Sequence, residues 1–182
     1  MSRSVPYLPL SECRRPHMLK SKLVALLYAA WDDADRVYAG LSDADALKRH
    51  EGGSTFAWTL AHITRGIDGW CNVTLQGGKP NEAMEAERLR NMPVGDAHDF
   101  AAIKRGAGEV RSKAKAYLDN VTDADLERVI IPAQGQRQEA KLRYFVYRAI
   151  AHTYFHIGEV AAKRDRLGHK VGDYPGPLTD AM

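Results

Sequence analysis

AHTYFHIGEV, from Ala151 to Val160, sets two histidines, His152 and His156, one helical turn apart inside an otherwise apolar run. Burying imidazole is costly unless both ring nitrogens find partners, so the pair needs a reason, and a metal ion is one candidate. The apolar periodicity around it extends in both directions. It predicts one long helix from Glu139 to Leu167, with Lys163, Arg164 and Arg166 gathered in its last turns and Gly168 as its stop.

Working back along the chain, three further helical patterns precede it. Leu19, Leu23, Leu26, Leu27, Ala30, Trp31, Ala34, Val37 and Tyr38 recur at three- and four-residue steps and predict a helix from Met18 to Ala39, stopped by Gly40. A second begins after GGST with Ser54 as its predicted cap, carries His62, and ends at Gly77 and Gly78. A third follows Asp96, its predicted cap, and runs to Leu118, weakened in its middle by Gly106 and Gly108. Strand signals are almost absent. VII at 129–131 reads as a short extended piece, and KPNEAMEAERLRN as a short charged helix between the second and third long ones.

LSDADALKR after the first long helix and VTDADLERV after the third echo one another, each leading towards a histidine-bearing helix. The fold class expected is therefore all-α, two helix pairs packed as a four-helix bundle over residues 18–168, with an N-terminal extension (1–17), a C-terminal tail (169–182) and a short irregular or extended segment between helices three and four.

The chain has 182 residues, 45% hydrophobic and 27% charged, which fits one folded domain. No apolar run approaches the ~20 residues of a membrane helix, the N-terminal apolar patch is too short and too broken by proline for a secretory signal, and the expected location is the cytoplasm. Cys13 and Cys71 are too few for a disulfide scaffold and have no CxxC spacing, so reduced thiols are expected. A net charge of +3, with the cations of Lys104–Lys115 spread around a helix, argues against nucleic acid as a partner. A membrane partner is not expected either.

At about 100° per residue, His152 and His156 project within about 40° of each other and Glu159 falls in the same arc. Two imidazoles fill only two of the positions a divalent ion prefers, so a third ligand must come from another element. His62, on the apolar face of the second helix, is the natural candidate. Trp58 flanks it on one side, with Gly66 and Gly69 on the other, where missing side chains either keep a space open or allow close helix packing. Three histidines from two helices would leave coordination positions for water or substrate. Glu159 reads as a fourth ligand, an acceptor for an imidazole N–H, or a base, with the acceptor role preferred. Arg65 and Arg148 flank the histidine faces, where a guanidinium can clamp an anionic substrate or pair with a surface acid. His17, His50, His98 and His169 fall near predicted ends or loops and are expected at the surface. Cys71, nine residues from His62, points about 180° away and is expected to serve packing.

LAHITRGIDGW, the HTYFHIGEVAAKRDRLG segment and the SDADAL and TDADLER exits together resemble the DinB/YfiT-like proteins, metal-binding four-helix bundles, over about Met18 to Gly168. Many members carry glutamine where this chain has Glu159. The resemblance implies a metal triad at His62, His152 and His156, zinc or nickel as the ion, and water completing the shell. It also implies possible activities: transfer of a low-molecular-weight thiol (bacillithiol, mycothiol or glutathione) to an electrophile, or a thiol-dependent isomerisation. The metal-dependent thiol S-transferase, with a small-molecule thiol and an electrophile as partners, is the reading favoured here. The alternatives are a hydrolase using metal-bound water and a non-catalytic module that binds metal or small molecules. The tryptophan and tyrosines of the first helix look exposed and suggest a homodimer.

Overall fold

The structure is a computed structural model, and it describes residues 21–50, 53–85, 95–131, 139–170, 172 and 174–176. Four long helical elements form the expected all-α bundle: α1 (Lys22–Tyr38), α3 (Phe56–Ile67), α5 (Phe100–Leu118) and α6 (Leu142–Arg166). Between them lie the short helices α2 (Asp43–Leu47) and α4 (Glu82–Glu85), a 3-10 turn (Asp125–Glu127) and a two-stranded antiparallel ribbon, β1 (Val129–Ile130) with β2 (Ala140–Lys141). Helix α6 packs against both α1 and α3, and α3 packs in turn against α5. The core running between them is made of Val24, Leu27, Phe56, Ile63, Val110, Phe145, Ala149 and Ile157, all essentially inaccessible.

Local chemistry sets the helix starts. Thr55 rather than Ser54 caps α3, its hydroxyl accepting from the Trp58 amide at 3.1 Å. Asp99 rather than Asp96 caps α5, accepting from Ala102 N at 2.8 Å. Asp96 instead pairs with Arg49 at 2.5 Å. The long final helix begins at Leu142, because Ala140 and Lys141 are drawn into the ribbon with Val129 and Ile130. The expected start of the first helix at Met18 and residues 86–91 of the KPNEAMEAERLRN segment lie outside the described residues, while α4 falls in that segment's described first half.

The internal echo corresponds to two matching turns. Ser42 accepts from the Asp45 amide at 3.1 Å and donates to its carboxylate at 2.6 Å. Thr122 and Asp125 make the same reciprocal pair, at 3.3 and 2.6 Å. The second is a capping box, since the Thr122 amide also donates to Asp125 Oδ2 at 2.9 Å, and the first is its side-chain counterpart. Each turn drops a buried side chain, Ala46 or Leu126, onto the core.

One element breaks the α-helical register. Beyond Ile67 the helix continues as a π-helical segment, Asp68–Thr74, a local widening that is rare and frequently found at functional sites. Its polar side chains are buried and paired: Asn72 donates from Nδ2 to Asp68 Oδ1 (2.8 Å) and to the Val110 carbonyl (3.1 Å), and Asp68 Oδ2 accepts from Asn81 N (2.7 Å). The segment is thereby tied to α5 and to the chain leading into α4.

Candidate metal centre

His62 projects from the middle of α3, and His152 and His156 from successive turns of α6. Their ligand-capable nitrogens all lie within 4.8 Å of one another. His152 Nε2 and His62 Nε2 face each other at 3.0 Å. Two nitrogens held about 2.0–2.1 Å from one ion stand about 3.0 Å apart at a right angle and about 3.4 Å apart at the tetrahedral angle, so the observed spacing suits shared coordination. It is also the length of an N–H···N hydrogen bond.

His156 is oriented from behind. Its Nδ1 donates to Glu159 Oε2 at 2.8 Å, and since an ionised carboxylate only accepts, the proton sits on Nδ1 and the Nε2 lone pair is free. Glu159 is held in turn: Oε1 accepts from Ser54 Oγ at 2.8 Å and from Lys163 Nζ at 2.5 Å. Lys163 also reaches Ser54 Oγ (2.8 Å) and the Ser54 carbonyl (3.0 Å), so the end of α6 is riveted to the residue before the α3 cap. The hydrogen bond from His156, then those from Lys163 and Ser54, hold the Glu159 carboxyl down to about 2 against the opposing effect of burial.

The other two imidazoles are biased towards the neutral form. Burial, then His156, His62 and Arg148, bring the His152 pKa down to about 4. Burial first, then His156 and Arg65, lower that of His62, with Glu159 opposing. Neutral imidazole is the form that binds metal, so these rings are ready at neutral pH.

Aromatic walls fix the ring planes. Trp58 stacks on His62 with centroids 4.9 Å apart and an interplanar angle of 7°. Trp70, carried on the π-helical segment, meets His152 edge-on at 5.2 Å, and Phe155 meets His156 edge-on at 5.0 Å. Gly66 gives room for this approach: a Cβ there would stand 3.0 Å from both His152 Nδ1 and Trp70 Cζ3, so a ring would have to give by a few tenths of an ångström. Gly69 faces open space, with no atom within 4 Å of a Cβ built on it. His152 Nδ1 itself is buried without a hydrogen-bond partner, at a cost of about 1–3 kcal/mol. A strong interaction at the opposite nitrogen, such as coordination, would offset that cost, and three neutral nitrogens with one ring oriented by a carboxylate are a donor set that fits a divalent ion.

The two arginines differ in their surroundings. Arg148 is exposed and lies over the Trp70 ring at 5.3 Å, close enough to depress His152. Arg65 faces Glu85, with Nε 3.7 Å from Oε1. Cys71 is buried in the core, and its thiol is pushed up to about 12 by burial and by Asp68. Of the histidines expected at the surface, His98 is exposed and His50 and His169 are half-buried, while His17 lies outside the described residues. The suggestion of an exposed aromatic face on the first helix is corrected: Trp31 is 6% exposed, packed against Tyr28 at 5.1 Å, and Tyr28 and Tyr38 are half-buried.

Ser54 and Lys163 are the parts of the site that sequence reading assigned elsewhere, to a helix cap and to the helix dipole. The spacing held a signal for Lys163, which stands four residues after Glu159 and seven after His156. Trp70 was hidden by the change of helical pitch at residue 68.

Against this geometry, the family model of the DinB superfamily matches residues 26–160, a span that includes the π-helical segment, all three histidines and Glu159. Among curated proteins, no relative matches the chain.

Proposed function

The chain belongs to the DinB superfamily, and from that premise we propose that it is a divalent-metal-dependent enzyme, with His62, His152 and His156 as the ligands, that transfers a small-molecule thiol to an electrophile. The observation that carries the reading is the convergence of three ring nitrogens within 4.8 Å, from two helices, on a flank where Gly69 opens outward.

A divalent ion bound there, zinc or nickel, would supply the Lewis acidity that lowers a thiol's pKa and readies its sulfur for attack. The protein's own groups do the rest. Glu159 fixes the His156 tautomer through Nδ1, and Ser54 and Lys163 fix Glu159. With its carboxyl held near 2 by three donors, Glu159 is too weak a base to take a proton at neutral pH, which favours an orienting role and weighs against hydrolysis by a Glu159-activated water. Trp58 and Trp70 form apolar walls on which an organic electrophile can lie. Arg148 is the cation beside His152 and fits a carboxylate on the thiol, and Arg65 shares that role from α3. A reducing cytoplasm suits both a thiol substrate and the free Cys71.

The test is an assay of the metal-loaded protein against several cellular thiols and a panel of electrophiles, read by product mass. A thioether adduct formed with the native chain but not with His152→Ala supports thiol transfer. Metal-dependent hydrolysis products without thiol consumption would replace it with the hydrolase reading. Stoichiometric metal with no turnover of any pair would leave a binding module.

A further inference from the structure

Helix α6 has three functional faces. One packs on α1, one carries His152, His156 and Glu159 towards α3, and the third is covered by no described element. That third face is the unusual one. It presents Tyr144, Arg148, Ala151, Phe155, Gly158 and Ala162, all exposed, at alternating steps of four and three residues over about 27 Å of helix. Phe155 is 73% exposed, the flanking Tyr147 57% and Tyr144 43%, and nothing lies within 4 Å of a Cβ built on Gly158. Steps of four and three are those of a helix seam that receives another helix. A large aromatic left three-quarters in water on such a seam marks an interaction surface.

We propose that this face pairs with the same face of a second copy, antiparallel, about a two-fold axis that crosses the seam at the height of Thr153, itself buried on the opposite side of the helix. The occupant follows from the sequence of the face itself. Positions equally distant from Thr153, by nine, five and two residues, become neighbours across that axis: Tyr144 meets the partner's Ala162, Arg148 the partner's Gly158, and Phe155 the partner's Ala151. Every layer sets a large side chain against a small one, the complementarity a self-paired interface requires. Moving the axis about half a turn towards the C-terminus would set Phe155 against the partner's Phe155, and moving it one full turn would set Phe155 against the partner's Gly158 but Ala151 against the partner's Ala162, losing the match.

Charge agrees with shape. Arg148 and Glu159 both lie on the flank of α6 nearest the histidines, and this register brings Arg148 beside the partner's Glu159 on the same flank, twice by symmetry. Arg148 lies over the Trp70 ring and has no acidic partner within ion-pair distance among the described residues. Glu159 is 30% exposed and can accept further bonds. The second copy thus contributes a guanidinium to the carboxylate that orients His156, and each histidine cluster has its own Arg148 at one end and the partner's at the other. None of this depends on the metal.

A single helix face is at the small end of specific interfaces, so a reversible dimer in the micromolar range is expected. Sedimentation velocity of the full metal-free chain from about 1 to about 500 μM checks it. The native chain should shift from monomer to dimer. Phe155→Arg should remain monomeric with unchanged helical circular dichroism, since the residue is exposed. Arg148→Glu, which sets two acids against each other, should weaken the dimer at least about tenfold. Ala151→Phe places Phe against Phe and should also dissociate it, and adding Phe155→Ala to that variant should restore dimerisation by inverting the same layer. A native chain that stays monomeric throughout, a Phe155→Arg or Arg148→Glu dimer as tight as the native one, or a double variant that fails to recover would each overturn the proposal.

Discussion

The buried Nδ1 of His152 and the bonded Nδ1 of His156 put two chemically identical side chains, one turn apart, into different states. His156 is steered by a carboxylate, whereas His152 is steered by the space that Gly66 leaves for it. Two expectations follow at this scale. Glu159→Ala frees His156 to rotate and to change tautomer and should weaken metal affinity about 10- to 100-fold by competition with a chelating dye, with the fold intact. Gly66→Ala should weaken it by roughly tenfold in the same assay, because its Cβ would stand 3.0 Å from His152 Nδ1 and Trp70 Cζ3 and one ring must shift. Unchanged affinity in the alanine at 66 would mean that the two rings can move aside without loss. The histidines themselves were legible in the sequence, since an i, i+4 pair on an apolar face and one histidine on another apolar face leave few choices. Ser54 and Lys163 were not, because a serine before a helix and a lysine in a last turn both have commoner uses, and only the packing of α6 on α3 brings them to Glu159.

Among the elements, the helices came through in the periodicity, the extended VII segment became β1, and the SDAD and TDAD turns matched. What periodicity does not carry is a change of pitch: Asp68 to Asn72 read as a continuation of an α-helix, and the π-helical segment exists because Asp68 and Asn72 find buried partners on α5 and near α4. Arg164 is a second case. Sequence placed it with Lys163 and Arg166 as a cation of the last turns, yet it is 7% exposed and donates from Nη1 to the carbonyls of Val37 (2.7 Å) and Ala39 (2.8 Å), completing the C-terminal end of α1. Arg164→Met fills the same volume but leaves those carbonyls unpaired, and should lower unfolding free energy by about 3 kcal/mol in urea titration. A loss under about 1 kcal/mol would show that water satisfies the end of α1 equally well.

For the molecule as a whole, the site is built at some expense of stability, and pH exposes this. The His152 pKa is lowered to about 4 and that of His62 is also lowered, so the unfolded chain takes up protons at these positions near pH 6.5 while the folded chain does not. Stability of the metal-free protein should therefore decline as pH falls from about 6.5 towards 4, with the further loss from Glu159 entering below about 4.5, where its unfolded carboxyl protonates and its folded one, held near 2, does not. Bound metal should flatten the upper part of that decline until protons displace it. A melting temperature independent of pH across this interval would show the rings to be freely hydrated in the folded state. No described helix is long and apolar enough to cross a membrane. The most direct test of the account is elemental analysis after loading with zinc or nickel and exhaustive buffer exchange. The account predicts one ion per chain in the native protein and less than about a tenth of that in His62→Ala, whose side chain comes from a different helix than the other two. A native chain that retains no ion, or a His62→Ala chain that retains a full equivalent, would contradict it.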